Sequence, residues 1–102
     1  MSSIHNHEYF MSIAIDMAKK SFSFDEVPVG AIIVQNNEII GRGYNSNITS
    51  NDPTAHAEIN AIRDASQYLN NYRLNDCNIY VTLEPCTMCL GAIFHSRIKN
   101  LF

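Results

Sequence analysis

The sequence has no tryptophan, and its 102 residues include only four glycines, three prolines and three cysteines. No internal repeat, low-complexity tract or linker interrupts it, so it reads as one domain over residues 1–102. Hydrophobic residues at 46% and charged residues at 17% are ordinary globular composition, which argues against disorder. Ten Phe and Tyr residues supply bulk in place of Trp. No stretch approaches the roughly 20 apolar residues that a membrane-spanning helix needs. Met1 to Asn6 lack the basic start and apolar run of a secretory signal, so the expected location is cytoplasmic, with no membrane partner. A basic surplus is missing too: 7 Lys and Arg stand against 10 Asp and Glu, for a formal charge of −3. Tight binders of nucleic acid carry such a surplus, so extended phosphate binding by this segment alone is disfavoured. A small pocket for one nucleotide is not excluded. Three cysteines are an odd number, and in a cytosolic chain closely spaced Cys points to metal or redox chemistry more than to disulfides.

The elements follow closely. Phe10, Ile13, Ala14, Met17 and Ala18 recur at spacings of three and four, which predicts a helix over His7 to Ser21 capped by Asn6. Val29 to Gln35 and Glu38 to Tyr44 predict a hairpin turning at Asn36-Asn37. After the polar run Asn45 to Asp52, Asp52 as N-cap and Pro53 as first helical residue predict a helix to Leu69. A strand over Asn78 to Thr82, a helix from Pro85 to Ser96 and a strand from Ile98 to Phe102 complete the order. Strand–helix–strand runs imply crossovers into parallel pairs. The expected fold class is α/β: a mixed sheet with helices on both faces. Ending in a strand, the chain is expected to be incomplete at its C-terminus, with Leu101 and Phe102 on an open edge that invites pairing.

Three short pieces carry chemistry: His56-Ala57-Glu58, Glu84-Pro85-Cys86, and Cys89. Cys86 and Cys89 are three apart, which on a helix puts both thiols on one face. Pro85 marks the helix start, and the helix N-terminus favours thiolate, the form that binds metal. With His56 they make three protein ligands. Three ligands on tetrahedral zinc leave the fourth position to water, as in catalytic rather than structural sites. Cys77, just before a strand, reads as a core residue. His5, His7 and His95 read as solvated or capping side chains. Zinc brings its bound water to a pKa of about 7, and the hydroxide then needs a proton carrier. Glu58, beside the metal histidine, is the candidate, with Glu84 its rival. Residues two apart on a regular helix point to nearly opposite sides. His56 and Glu58 therefore serve one pocket only from a helix's first turn.

An H-x-E followed by P-C-x-x-C is the pattern of zinc nucleobase deaminases, in which the Glu is acid/base and not a ligand. Over nearly its whole length the chain resembles the bacterial tRNA-specific adenosine deaminases. The likeness is carried by Val27-Pro28-Val29-Gly30-Ala31, Asp52-Pro53-Thr54-Ala55-His56-Ala57-Glu58-Ile59 and Asn71-Tyr72-Arg73-Leu74. It continues through Val81-Thr82-Leu83-Glu84-Pro85-Cys86, Met88-Cys89, Gly91-Ala92-Ile93 and His95-Ser96-Arg97-Ile98. The resemblance implies a three-layer α/β/α cytidine-deaminase-like fold, one zinc per chain, and a homodimer. It implies conversion of adenosine to inosine at the wobble position of a tRNA anticodon loop, with Glu58 moving the protons. It also implies that Asn45 contacts the flipped nucleotide, and that Val29 and Ala57 line the base pocket. On its own Asn45 reads equally as a turn residue at a strand end.

Two other readings stay open. Guanine deaminases share the Pro-Cys-x-Met-Cys-Leu-Gly-Ala segment and the His-Ala-Glu helix, which would make this an enzyme of free bases or nucleosides such as guanine or cytosine. Alternatively the chain is an inactive, zinc-stabilised dimerisation module, a reading against which the retained Glu58 argues.

Overall fold

The computed structural model describes residues 6–102; His5 lies outside them. The Asn6 side-chain oxygen accepts the Tyr9 N–H at 2.9 Å, opening α1 (His7–Ser23) as the cap residue predicts. Phe10, Ala14, Ala18 and Ser21 form its buried stripe. β1 (Gly30–Gln35) and β2 (Glu38–Tyr44) make an antiparallel hairpin. Asn36 and Asn37 both take positive φ, 50° and 65°, the backbone that a tight two-residue hairpin turn requires. After them come α2 (Ala57–Leu69), β3 (Cys77–Val81), α3 (Thr87–His95) and β4 (Asn100–Leu101).

The sheet order is β2-β1-β3-β4. The β2–α2–β3 run does not form the neighbouring parallel pair expected of it, because β1 lies between the two strands and is antiparallel to both. All of Gly30 to Val34 is buried, so β1, one of the two interior strands, is covered on both faces. The parallel pair is β3–β4, joined across α3. The sheet is therefore mixed, as predicted. Phe102, expected on an open edge, donates its N–H to the Ile79 carbonyl at 2.9 Å, and its ring stacks on Tyr80 at 4.8 Å.

One face of the sheet is covered by α1. Phe10 and Ala14 pack there with Ile32, Val34 and Tyr80. On the other face Ala57, Ala61 and Ala65 of α2 and Ile93 of α3 pack with Ala31, Ile33, Ile79 and Val81. The layers are thus α/β/α. The α2 layer lies unusually close to β2. A Cβ added at Gly43 would sit 2.2 Å from the Ala57 carbonyl oxygen and 2.4 Å from the Ala61 nitrogen. Glycine on the strand and alanine on the helix together permit this approach, which fixes how the start of α2 sits on the sheet.

Two helix starts differ from expectation. α2 begins at Ala57, not Pro53, because Asp52 is used in a turn. Its Oδ1 accepts both the Thr54 N–H at 2.8 Å and the Thr54 hydroxyl at 2.7 Å. α3 begins at Thr87, not Pro85, with Cys86 as its flanking cap residue.

Candidate metal centre

His56 is the N-cap of α2, with extended backbone (φ −76°, ψ 155°) and no capping bond from its own side chain. The capping is done by Asn45 instead, whose Oδ1 accepts the Ala57 N–H at 2.8 Å. The imidazole is thereby left for other use. Cys86 is likewise the N-cap of α3 (φ −75°, ψ 174°), and Cys89 lies in the first turn. Two helix N-termini thus converge on one spot, each bringing free N–H groups and the positive end of a dipole.

His56 Nδ1 stands 3.7 Å from Cys86 Sγ and 3.4 Å from Cys89 Sγ. All three donor atoms lie within 4.8 Å of one another. Zinc–sulfur bonds of about 2.3 Å and zinc–nitrogen bonds of about 2.0–2.1 Å, opened at a tetrahedral angle, separate N from S by about 3.6 Å. The two measured distances bracket that value, so the donor set fits a zinc ion with one corner open. Cys77 is fully buried at the start of β3 and takes no part. His7 pairs with the Tyr80 hydroxyl.

Cys89 is fully buried and Glu58 is 4% exposed. The Cys86 thiol is held below its ordinary value, first by the backbone N–H of Cys89. The Cys89 thiol is pushed far up, first by burial and next by the Glu58 carboxylate. Glu58's charge opposes ionisation of both thiols, although hydrogen bonding from Cys89 outweighs it at Cys86, which puts this carboxylate beside the donor set. A divalent cation among the donors outweighs these penalties, because coordination deprotonates a thiol outright. The geometric condition on His56 and Glu58 is met in an unforeseen way: His56 is not helical at all, while Glu58 is in the first turn.

A cavity of about 240 Å³ opens over this set. His56, Glu58 and Cys86 line it, with Val27 and Val29 from the α1–β1 connection and Asn45 and Asn47 from the loop after β2. Leu83 and Glu84 complete it from the β3–α3 connection. The rival carboxylate Glu84 therefore faces the same cavity but is exposed. Ala57, implied for the base pocket, is not on this lining. Its side chain is fully buried in the core under α2, and only its N–H reaches toward the site, through Asn45. A second hollow of about 290 Å³, between α1 and the hairpin, is lined by Tyr9, Phe10, Asn37, Glu38, Ile39 and Arg42 and holds none of the residues singled out for the metal chemistry.

A family model described as the cytidine and deoxycytidylate deaminase zinc-binding region matches residues 4–102. The chain belongs to this family. Among its deaminase relatives, the tRNA-specific adenosine deaminase of Buchnera aphidicola subsp. Baizongia pistaciae is 60% identical over 94 residues, covering 92% of this chain and 58% of that protein. The chain spans about three-fifths of the length of the curated relatives it matches. Two solved structures share the fold. One, from work on tRNA:A34 deaminases and A-to-I editing at the wobble position, has a TM-score of 0.90 at 46% identity, covering 92% of this chain and 72% of that one. The other, guanine deaminase from Bacillus subtilis, has a TM-score of 0.93 at 47% identity, covering 96% and 63%. In this family setting the His56, Cys86 and Cys89 set is a zinc site.

Two residues that hold this deaminase-family site together were not singled out from the sequence. Asn60 Nδ2 donates to the Tyr44 carbonyl at 2.8 Å and to Ser46 Oγ at 3.1 Å, tying α2 to the loop after β2. Glu26 binds the same loop from the other side. Their partners are 14 to 23 residues away in the chain, so no local pattern announces them.

Proposed function

We propose that this chain carries the catalytic core of a tRNA-specific adenosine deaminase, which hydrolyses the wobble adenosine of an anticodon loop to inosine and ammonia. The observation that carries the reading is the pairing of a buried carboxylate, Glu58, with an open-cornered His56–Cys86–Cys89 donor set at a cavity that Glu58, His56 and Cys86 line. A structural zinc site has no use for that carboxylate. Zinc held by His56, Cys86 and Cys89 would supply a water acidified toward neutral pH.

Glu58 acts as the proton carrier. It accepts a proton from the attacking water and delivers it to the purine ring nitrogen beside C6. It then takes the proton of the new C6 hydroxyl and passes it to the amino group, which leaves as ammonia as C6 becomes a carbonyl. Its burial suits this work, since a carboxylate shielded from bulk water keeps its proton on the substrate path. Val29, 5% exposed, offers the flipped base an apolar wall. Asn45 has its Oδ1 committed to the Ala57 N–H, which leaves the Nδ2 hydrogens to donate to the nucleotide. Ala57 serves indirectly, by presenting that N–H. A loop base fits the entry, because a base must leave its stack to reach a recessed pocket.

The substrate assignment is supported by the relatives at 51 to 60% identity, which carry the tRNA-specific adenosine deaminase name. The protein works as a homodimer in the cytoplasm. Support for a second copy comes from Met88, Leu90 and Phe94, which stand 38%, 46% and 68% exposed along α3. No described helix is long and apolar enough to cross a membrane. The guanine deaminase likeness defines the competing substrate. Zinc-loaded protein is to be offered an anticodon stem-loop with wobble adenosine, free guanine and free cytosine in parallel. Inosine in the RNA alone is the expected result. Xanthine from guanine, with no inosine, would replace this reading with the free-base one.

A further inference from the structure

Among the described residues two carboxylates are buried, Glu58 at 4% and Glu26 at 5% exposure. Glu58 belongs to the metal set. Glu26 does not, and no cation accompanies it among the described residues. Burying an unpaired carboxylate is costly unless hydrogen bonds replace its water, and here three do. Oε2 accepts the Thr49 N–H at 2.7 Å and the Thr49 hydroxyl at 2.7 Å, and Oε1 accepts the Ile48 N–H at 3.2 Å.

The position of these bonds is what matters. Glu26 starts the strap that carries Val27 and Val29 past the cavity, and Ile48 and Thr49 belong to the loop that carries Asn45 and Asn47. The loop closes on itself through Ser50 N–H to the Ser46 carbonyl at 2.8 Å and Asp52 N–H to the Asn47 carbonyl at 3.0 Å. The strap is likewise held to α1, by Glu26 N–H to the Ser21 carbonyl at 3.0 Å and Ser21 Oγ to the Val29 carbonyl at 3.1 Å. Between these two self-braced segments, the Glu26 carboxylate supplies three of the side-chain bonds. Asn45 N–H to the Val29 carbonyl, at 3.2 Å, is the backbone link.

We propose that Glu26 is a positioning residue for substrate binding: by clamping the strap to the loop it sets the spacing of Val29 from Asn45, and so the shape of the cavity over the metal set. It touches neither metal nor substrate. Its loss therefore acts on binding and leaves the proton transfer by Glu58 in place. The kinetic form of this inference rests on the deaminase reading above.

The test uses the zinc-loaded full chain with the wobble-adenosine stem-loop. In Glu26→Gln an amide nitrogen replaces one acceptor and opposes a loop N–H. KM is expected to rise roughly 10-fold or more while kcat stays within about 3-fold, with zinc content unchanged. Glu26→Asp keeps both acceptor oxygens and recovers part of the loss. Unchanged KM, or a fall in kcat with KM constant, overturns the proposal. If Glu26→Gln does not fold, Thr49→Val removes one of the three bonds and decides the matter: a smaller rise in KM supports the clamp and an unchanged KM overturns it. Wild-type protein that makes no inosine defeats the deaminase reading, not the clamp. The clamp is then judged by amide hydrogen exchange. Ile48 and Thr49 exchanging about 10-fold faster or more in Glu26→Gln sustains it, and equal rates overturn it.

Discussion

His56 Nδ1 and Cys89 Sγ stand 3.4 Å apart across the facing N-termini of α2 and α3. With Cys86 Sγ at 3.7 Å from the same nitrogen, these are the edges of a coordination tetrahedron more than hydrogen bonds. An ion held by these atoms would tie the start of α2 to the start of α3, so zinc binding and folding are expected to be coupled. Cys86→Ser and Cys89→Ser should each weaken zinc affinity by more than the roughly 10- to 100-fold that loss of an outer-shell partner costs. Both should also lower the melting temperature. Zinc titration against a chelator, with thermal unfolding on the same samples, checks this. Wild-type affinity and stability in either variant would argue against the site.

Asn45 is assigned two jobs by its two amide atoms, and two substitutions separate them. Asn45→Ala removes the acceptor for the Ala57 N–H and should cost about 1 kcal/mol of stability. Asn45→Asp keeps that acceptor, so its stability should stay near wild type. The donor to the nucleotide is gone in both, so KM for the stem-loop should rise in both. If Asn45→Asp restores KM as well as stability, the amide group has no part in binding.

The close approach of β2 to α2 makes Gly43 a stability determinant. A methyl group there meets backbone atoms at 2.2 and 2.4 Å, which cannot move aside as a flexible side chain does. Gly43→Ala should cost at least about 1–3 kcal/mol, the usual range for an overpacked core. Urea unfolding of the zinc-loaded variant gives the number, and an unshifted midpoint would contradict the packing described.

Glu26 also predicts a pH dependence. Its carboxyl is held below the ordinary value of 4.5, first by the Thr49 hydroxyl and then by the Thr49 N–H. The unfolded chain therefore binds the proton more readily than the folded one. The stabilisation is complete above about pH 4.5 and is lost as pH falls through the lower, folded value. Stability measured from pH 7 down to pH 3 should show this acid-side loss in wild type and less of it in Glu26→Gln. Identical slopes would mean that the carboxylate is not clamped.

Much of this was readable in the residues. Asn6 and the Asn36-Asn37 pair act through bonds within a few positions, so the first helix and the hairpin are visible locally. The three ligands were legible from spacing and chemistry, since Cys86 and Cys89 sit one helical turn apart beside Pro85. The start of α2 was not, because Asp52-Pro53 has the form of a cap and first residue while Asp52 in fact closes a turn on Thr54. The cap role went to Asn45, twelve residues before Ala57. Nor could the sequence show that β3 pairs antiparallel with β1. The chain crosses over through α2 and enters β3 on the far side of β1, which the hairpin has already set antiparallel to β2; no local pattern sets that place in the sheet. Glu26 is hidden for the same reason: its partners lie 22 and 23 residues away.

The central claim is that Glu58 moves protons for a reaction at a zinc site, and one paired measurement meets it directly. Inosine formation in a wobble-adenosine stem-loop is to be compared between wild type and Glu58→Ala at equal, measured zinc content. The account predicts inosine from wild type, and a loss of at least about 10²- to 10⁴-fold in Glu58→Ala with zinc retained. Equal turnover by the two proteins, or no turnover by folded, zinc-loaded wild type, would contradict it.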